Sequence, residues 1–450
     1  MSSADHKRKA SSPEATTTTT ESSTLGSSDH QPKKPRTEDT TTTTTKNTID
    51  HAPDCDDPSC PGCGEGELEL QFDGKPSALE LFSLAREEAS KESLSTHGTG
   101  AAKKLFDLAI EAFEELEKSN AHLEIGDDPA SEVAKTLLET KVQHAACVVA
   151  VGNYMPSLAM VQDGVAKYQK LFREHATMAG ENSTALIGQG IAELSAVRLL
   201  RKEALKAAHG DEDEDEDEDD EEQEEALRAA AIVPRTESTL AKHAMDGFNK
   251  GLEILEATPG SSFAQESIRA TQEMEEYGVM VDIQLNNDLA RQLFEQAFQH
   301  IEKARAAKPE LFEQNADIQS LYGSCLFNKA RMVTHEGNEQ ESKKLLDKAI
   351  EILTKAEEMQ GEPGDAKTLE TLGQAYMMST VLTEDEDSIM DAYNAATDRL
   401  RRALELDPSN SALRKQLDAI EAESGDGDDY EDEDEFEEGA EEEEEEEDDK

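Results

Sequence analysis

The residue spacing between positions 372 and 408 restricts the fold of this chain more than any other feature. A first group consists of Leu372, Gly373 and Tyr376. It is followed by a second group, Ala396, Leu400, Ala403 and Pro408, whose members are spaced four, three and five residues apart. Glycine and alanine at such positions allow two helices to approach closely, whereas the leucine and tyrosine side chains fill the space between neighbouring helix pairs. Proline cannot continue a helix. The segment therefore predicts a hairpin of two packed helices.

This spacing is typical of tetratricopeptide repeats. Weaker copies of the second group lie at Ala109/Phe113/Leu116, Ala244/Phe248/Gly251, Ala297/Ile301/Ala304/Pro309 and Ala349/Leu353/Ala356. Amphipathic helices also produce such spacings by chance, and a compact bundle is the alternative architecture. Taken together the copies favour an all-α fold, an α-solenoid of divergent tetratricopeptide-like helical hairpins. Such an architecture holds a peptide or a folded partner on its surface.

The helical pattern begins near Ser77, and the alternating apolar runs of strands are missing. Leu105, Phe106, Ala109, Ile110, Phe113 and Leu116 form one apolar stripe. Further helical stretches are predicted over roughly 130–152, 157–176, 183–209, 236–257, 263–306, 310–334, 341–360, 365–382 and 388–422. The wide gap between Tyr376 and Ala396 predicts an acidic insertion between two helices around Glu384–Ser388. Gly188 and Gly190 predict a close helix–helix contact.

Acidity limits the partners of this chain. Lys and Arg number 44 against 102 Asp and Glu, which gives a formal net charge of −58. Two runs are densest: 14 of the 15 residues in 211–225 are acidic, and 19 acids stand against one Lys in 424–450. Direct binding to nucleic acid is not expected, because affinity for phosphates rests on Lys and Arg. Basic protein segments are better matched.

Composition divides the chain into six predicted segments. They are a disordered arm with basic clusters over 1–50, a Cys-rich linker over 51–76, an N-terminal helical-repeat half over 77–209, an acidic disordered insertion over 210–225, a C-terminal tetratricopeptide-like half over 226–422, and an acidic disordered tail over 423–450. Neither a secretory signal nor a stretch able to span a membrane is recognisable. Few cysteines without a signal indicate reduced thiols in the cytosol or nucleus.

Two basic clusters in the arm predict nuclear targeting. They are Lys7-Arg8-Lys9 and Lys33-Lys34-Pro35-Arg36, with Lys33, Lys34 and Arg36 as the cations of the second. Nuclear import receptors bind clusters of the Lys-Lys-x-Arg form in an extended segment. The other interpretation is two solubilising patches. We expect a nuclear protein that binds an import receptor, with the cytoplasm as a further location.

Four soft ligands, His51, Cys55, Cys60 and Cys63, lie within a short segment. They could surround one structural Zn²⁺. However, a single Cys-x-x-Cys pair in acidic surroundings also fits a Cys-rich loop without metal, and both interpretations stay open. Cys147 and Cys325 lie in apolar helical stretches and are expected to be buried and inert. No other cofactor is indicated.

No catalytic pattern emerges from the sequence. The glycines between His97 and Lys103 lack the Gly-Lys-Ser/Thr ending of a phosphate loop, and neither a zinc protease helix nor a nucleophile elbow occurs. The histidines are scattered. We therefore expect a protein without enzymatic activity.

The basic arm, the acidic helical-repeat body, the acidic segment that divides it and the closing Leu400-x-x-Ala403-Leu404-Glu405-Leu406-Asp407-Pro408 segment occur together. This combination resembles the fungal enhancer-of-translation-termination family, which is related to the nuclear negative regulator of a prolyl-hydroxylase-like dioxygenase. The resemblance implies a nuclear, non-enzymatic adaptor that acts in correct translation termination and in the regulation of hypoxic gene expression. It also implies an Fe(II)/2-oxoglutarate dioxygenase as the partner bound on the helical body.

Two other functions fit the same residues. A nuclear histone chaperone built on tetratricopeptide repeats would use the acidic runs 211–225 and 424–450 to screen histone Lys and Arg. A cochaperone would hold a C-terminal carboxylate with Lys and Arg side chains that face the groove of the solenoid. The sequence does not decide among these binding functions.

Overall fold

The computed structural model of the chain describes residues 75–92, 100–120, 131–209, 232–282 and 287–425. The chain divides into two units, Met1–Gln71 and Phe72–Lys450, and every described residue belongs to the second. The two basic clusters of the arm, the His51–Cys63 segment, the core of the acidic insertion and the acidic tail lie outside the described residues.

The regular secondary structure of the described residues consists of helices. In chain order they are α1 (Ala78–Glu92), α2 (Ala101–Ser119), α3 (Glu132–Tyr154), α4 (Leu158–Glu174), α5 (Ala176–Gly180), α6 (Ser183–His209), α7 (Arg235–Glu256), α8 (Phe263–Val281), α9 (Asp288–Ala307), α10 (Pro309–Gln314), α11 (Ala316–His335), α12 (Glu339–Gln360), α13 (Ala366–Val381), α14 (Glu386–Leu406) and α15 (Ser411–Gly425). The predicted all-α fold is confirmed. None of these helices is long and apolar enough to cross a membrane.

Side-chain caps start many of the helices. Ser131 accepts a hydrogen bond from the amide of Ala134 at the start of α3, and Asp365 accepts one from Thr368 at the start of α13. Asn315 does the same for α11. Such caps satisfy amide groups that have no partner within the helix. Local sequence therefore sets where these helices begin.

The longer helices pack as six hairpins of consecutive helices: α1 with α2, α3 with α4, α6 with α7, α8 with α9, α11 with α12, and α13 with α14. We call the first helix of each pair the A helix and the second the B helix. Successive hairpins also contact each other, as α6 does with α8 and α12 with α13. This is the stacked arrangement of an α-solenoid, and α15 packs on α14 at its end.

Glycines bring the α6–α7 hairpin together. A Cβ atom on Gly190 would lie 2.8 Å from the Phe248 ring and 2.9 Å from the Ala244 carbonyl oxygen. A Cβ atom on Gly251 would lie 2.7 Å from Ile187. Gly188, also in α6, lies against the Tyr168 hydroxyl of α4. The predicted close helix contact at Gly188 and Gly190 is confirmed.

A buried ion pair also joins α6 and α7. The Arg201 guanidinium donates to the Glu237 carboxylate through Nε at 3.0 Å and Nη2 at 2.9 Å, and the Tyr277 hydroxyl of α8 donates to the same carboxylate at 2.8 Å. Arg201 and Glu237 are 2% and 4% exposed, so the pair is withdrawn from water. The Arg201, Glu237 and Tyr277 contacts connect α6, α7 and α8. Arg201 and Glu237 lie near the ends of the described segments that flank residues 210–231.

The core runs past that insertion without a break. One cluster of buried side chains begins with Ile187 of α6 and extends through α7, α8, α9 and α11 to Ala375 of α13. Residues 210–231 therefore connect two helices that are packing partners. The acidic run divides the sequence, but the described helices on its two sides share one core.

Four predictions about helix limits need correction. The stretch predicted over 310–334 is divided at Asn315, which ends α10 and caps α11. The stretch predicted over 263–306 is not continuous, since α8 ends at Val281 and α9 begins at Asp288, where the Asn287 side chain accepts from the amide of Leu289. The stretch 388–422 is likewise divided, since Asp407 to Asn410 separate α14 from α15. The expected acidic insertion at Glu384–Ser388 is mostly helical, because Asp385 caps α14 and acids in its first turn favour a helix start.

Candidate functional site

The A helices of four consecutive hairpins line a groove. Its volume is about 460 Å³, and its walls are formed mainly by side chains of α1, α3, α6 and α8, with one side chain each from α2 and α4. The apolar lining consists mainly of Phe82, Phe106, Val149, Tyr168, Ile187 and Ile191. The polar lining consists mainly of Arg86, Gln143, Asn153, Glu266, Arg269 and Gln272. We call this surface the A-helix groove.

Two arginine side chains line the A-helix groove. One lies on the first of its four A helices and the other on the last. Arg86 of α1 lies 5.9 Å from the Phe82 ring centre, and Arg269 of α8 lies 3.8 Å from the Glu266 carboxylate. Burial lowers the pKa of the Arg86 guanidinium, and the positive charge of Arg269 lowers it further. Each arginine carries donors that suit carboxylates and main-chain carbonyls.

Carboxylates balance these charges within the groove. Glu266 lies beside Arg269, and burial raises the pKa of Glu273, whose charged form is opposed further by Glu276 and favoured by Arg198. The groove therefore combines buried apolar side chains with paired charges and amide groups.

Polar contacts between A helices fix the shape of this face. The Asn153 amide of α3 donates to the Ser195 hydroxyl of α6 at 2.9 Å. Further along, Glu275 of α8 is 1% exposed, accepts from Ser324 of α11, and pairs with Lys367 of α13 at 3.0 Å. Buried polar groups that are satisfied in this way stabilise one arrangement of the helices.

An apolar patch continues the same series of A helices. Phe327 of α11 and Met378, Val381 and Leu382 at the end of α13 line a cavity of about 450 Å³. Val381 is 81% exposed. The Arg331 guanidinium lies over the Phe327 ring at 5.6 Å and pairs with Asp282 at 3.2 Å. Exposed apolar side chains grouped in this way are typical of protein-binding surfaces.

The repeat residues recognised in the sequence meet in the α13–α14 hairpin. A Cβ atom on Gly373 would lie 2.7 Å from the Leu400 side chain and 3.2 Å from the Ala396 carbonyl oxygen. Leu372, Gly373, Ala396, Leu400 and Ala403 are buried. Tyr376 is half-buried with the Arg399 guanidinium 5.6 Å from its ring, and Pro408 is exposed in the turn after α14. These residues build the hairpin, and none of them lines the A-helix groove.

Earlier hairpins repeat this packing with variations. A Cβ atom on Gly323 would lie 2.5 Å from Leu353, which is the contact that Gly373 makes with Leu400. In the α8–α9 hairpin a threonine replaces the glycine, and the Thr271 hydroxyl lies 3.3 Å from the Ala297 carbonyl. The copy in the α1–α2 hairpin differs most, since Leu116 is 40% exposed.

Both described cysteines are buried, as predicted. Burial raises the pKa of the Cys147 thiol to about 12, and burial also raises the pKa of Cys325. A thiol held protonated in this way is a poor nucleophile and a poor metal ligand. No group of three His, Cys, Asp or Glu side chains that could hold a metal occurs among the described residues.

One family model matches part of the chain. Residues 292–424, less than half of the chain, match the family model of the plant-specific mitochondrial import receptor subunit TOM20. The match extends from α9 to α15. No curated protein matches the chain in sequence.

Among solved structures, the S. pombe nuclear import adaptor Nro1 is similar at 12% identity over 77% of this chain and 97% of that one, with a TM-score of 0.46. A second structure of Nro1, described as a hypoxic regulator of sterol synthesis and a nuclear import adaptor, covers 77% of this chain and 92% of that one, at 11% identity and a TM-score of 0.32. Yeast Tom70 is similar at 14% identity over 76% of this chain and 89% of that one, with a TM-score of 0.19. Such low scores assign no function to the chain.

The sequence did not predict the residues of the A-helix groove. Arg86, Asn153 and Arg269 come from three hairpins, and each is an ordinary polar residue within its own helix. Their proximity depends on how successive hairpins stack. The nearest available signal was the set of polar residues that stand next to buried apolar positions on the A helices.

Proposed function

We propose that the chain is a non-enzymatic adaptor that binds a protein partner in the A-helix groove. The observation that carries this proposal is the groove itself, in which four A helices bring arginine and amide side chains together beside buried apolar side chains. A segment of a partner that lies in the groove meets a base of buried side chains, since Phe82 and Ile187 are 5% and 2% exposed, and its specific contacts are therefore polar. Its carbonyl or carboxylate groups then accept hydrogen bonds from Arg86 and Arg269.

The resemblance to the fungal translation-termination family supplies the identity of the partner and the pathway. We infer that the groove receives a prolyl-hydroxylase-like Fe(II)/2-oxoglutarate dioxygenase and that the complex acts in correct translation termination and in hypoxic gene expression. The location that accompanies this function is the nucleus, through binding of an import receptor to Lys33, Lys34 and Arg36.

A binding measurement with the purified dioxygenase tests the groove. The full-length chain with Arg86→Gln and Arg269→Gln should bind at least about ten-fold more weakly than the original, because two charge-assisted contacts are lost. The matched control carries Arg173→Gln and Arg235→Gln, which remove the same charge at exposed positions outside the groove. Equal binding by all three proteins would contradict the proposal.

Affinity purification from nuclear extract tests the identity of the partner. A dioxygenase recovered in stoichiometric amount with the original chain and lost with the groove variant supports the adaptor function. Histones recovered in its place would favour the histone chaperone, the second candidate, which the density of acids in 211–225 favours. In that case deletion of 211–225 should weaken histone binding, whereas a dioxygenase adaptor should keep its partner after the same deletion.

Nuclear entry is tested separately. A fluorescent fusion with Ala at Lys33, Lys34 and Arg36 should lose nuclear accumulation, because the rest of residues 1–50 then holds four Lys and Arg against seven Asp and Glu. An unchanged nuclear fraction, with Lys7, Arg8 and Lys9 also neutralised, would show that the chain does not use the arm for import.

A further inference from the structure

The apolar patch at the ends of α11 and α13 lies in a groove between these two A helices. The helices meet near their N-terminal ends, where the Ser320 and Thr368 hydroxyls lie 2.8 Å apart. Beyond this contact α13 packs mainly against α12, and the cavity of about 450 Å³ lies between the second half of α11 and that of α13. We call this cavity the α11–α13 groove.

The residues that line the groove have helical spacing on both sides. They run from Phe327 to His335 on α11, and from Gln374 to Leu382 on α13 and the turn that follows it. In both sets the positions are i, i+4, i+7 and i+8, which lie on one face of a helix. The groove is therefore bounded by two helical stripes that run side by side.

Part of this apolar surface is open to solvent. Val381 is 81% exposed, Met378 and Leu382 are half-buried, and only Phe327 is buried. Apolar side chains of this kind gain free energy when another apolar surface removes them from water. A groove between two helices is filled well by the apolar face of a third helix, whose side chains recur at i, i+3, i+4 and i+7.

The charges next to the groove indicate which kind of helix fits it. Three exposed acids follow the α13 stripe in the sequence, and their carboxylates form no ion pair or hydrogen bond with another described residue: Glu384, Glu386 and Asp387. The Arg331 guanidinium lines the groove but is already paired with Asp282 at 3.2 Å. His335 is the remaining basic group of the groove. The unpaired charge beside the apolar surface is thus mainly negative, and it is complementary to a cationic ligand.

We propose that the α11–α13 groove binds an amphipathic helix of a partner protein, with apolar side chains on one face and lysine or arginine in its last turn. The apolar face packs on Met378, Val381 and Leu382, and the cations lie beside the carboxylates of 384–387. Cations in the last turn also stabilise the ligand helix itself. The site is separate from the A-helix groove, so it goes beyond the proposed function and adds a second class of ligand.

Fluorescence anisotropy with a synthetic helix and the full-length chain tests the apolar contact. The labelled peptide has a length of about 18 residues, or about five helical turns. It carries leucines on one face, alanine and glutamine elsewhere, and lysines in its last turn. Val381→Asn should weaken binding at least about ten-fold, because an amide replaces an apolar side chain that the peptide covers.

The matched control is Val133→Asn, at a valine of α3 that is 53% exposed, and it should leave the affinity unchanged. Because Val381 is largely exposed in the free chain, Val381→Asn should also leave the melting temperature unchanged, as measured by circular dichroism. Loss of binding by this variant would therefore not reflect unfolding.

A second set of variants tests the charges. The triple variant Glu384→Gln, Glu386→Gln and Asp387→Asn should weaken binding of the lysine peptide about three-fold or more at low salt. It should not weaken binding of a peptide with glutamine in place of the lysines. The control Glu111→Gln, Glu253→Gln and Glu405→Gln removes the same charge at exposed positions elsewhere and should have a smaller effect.

Four results would overturn the inference. They are equal binding by Val381→Asn and the original chain, equal binding of a peptide of the same composition whose leucines do not share a face, tighter binding of a peptide with glutamate in place of lysine, and crosslinks confined to 211–225 or 424–450 when the leucine face carries a photoreactive group. Crosslinks within 327–335 and 374–382 are the expected result. None of these measurements uses the dioxygenase or the arginines of the A-helix groove. Failure of the α11–α13 groove and failure of the adaptor function are thus distinguishable.

Discussion

Replacement of Arg201 by Met should destabilise the chain more than any other single loss of a cation among its described ion pairs. The Glu237 carboxylate is 4% exposed and would keep only the hydrogen bond from the Tyr277 hydroxyl. Breaking a buried ion pair from one side costs about 3–5 kcal/mol, because a charge then remains buried without its partner. The matched control is Lys303→Met, whose pair with Glu256 is about half exposed on both sides and should cost less than about 1 kcal/mol.

The double variant Arg201→Met with Glu237→Leu distinguishes this cause from simple loss of packing. When both charges are removed together, no uncompensated charge remains, and such apolar replacements are often neutral. The double variant should therefore recover about 2 kcal/mol or more relative to Arg201→Met alone. Part of the loss remains, since the Tyr277 hydroxyl would have lost its acceptor.

Urea unfolding followed by far-ultraviolet circular dichroism gives the stabilities, and hydrogen exchange of α6 and α7 shows whether the effect is local. Stacked hairpins can unfold in parts, so both measurements are needed. If Arg201→Met costs no more than Lys303→Met, or if the double variant is less stable than the single one, the buried pair does not stabilise these helices through its charges.

Three further outcomes follow from packing and titration. Burial lowers the pKa of His300 to about 4 in the folded state, below the value of 6.5 in the unfolded chain. The folded state is therefore stabilised by about 3 kcal/mol above pH 6.5 relative to low pH, and this stabilisation is lost as the pH falls towards 4. His300→Leu should flatten that part of a stability–pH curve, whereas replacement of the exposed His335 should not. Gly190→Ala should lower the melting temperature through contact with α7, while Gly180→Ala, with no atom near its Cβ position, should not lower it. Leu400→Asp should cost several kcal/mol by burying a charge, and Leu406→Asp, at 37% exposure, much less, as measured by urea unfolding.

Features of this structure that depend on residues close together in the sequence could be predicted, whereas features that depend on contacts between distant helices could not. Hairpins could be inferred where small and large apolar residues recur at fixed spacing, as at Gly373 and Leu400. The division between α8 and α9 was missed because Val281 to Asn287 contains neither Gly nor Pro, and the cap supplied by Asn287 is a weak signal within a polar stretch.

Features that depend on stacking were beyond reach of the sequence. Acids near Glu384 suggest a loop, although acidic residues also stabilise the first turn of a helix. Arg86 and Arg269 are more than a hundred positions apart, and only the packing of intervening hairpins brings them to one groove. The acidity of the chain predicted partners of opposite charge in general, but it did not indicate where on the helices they would bind.

The shared core of α6 and α7 has a consequence for the continuity of the chain. Because these helices are packing partners, a break in the backbone between Gly210 and Ala231 would leave two polypeptides that still bury the same side chains against each other. The broken protein would behave as a heterodimer whose stability depends on concentration. Cleavage by a protease at the acidic run would thus convert one folded chain into a reversible two-fragment complex, and fragments expressed separately would be expected to reassemble.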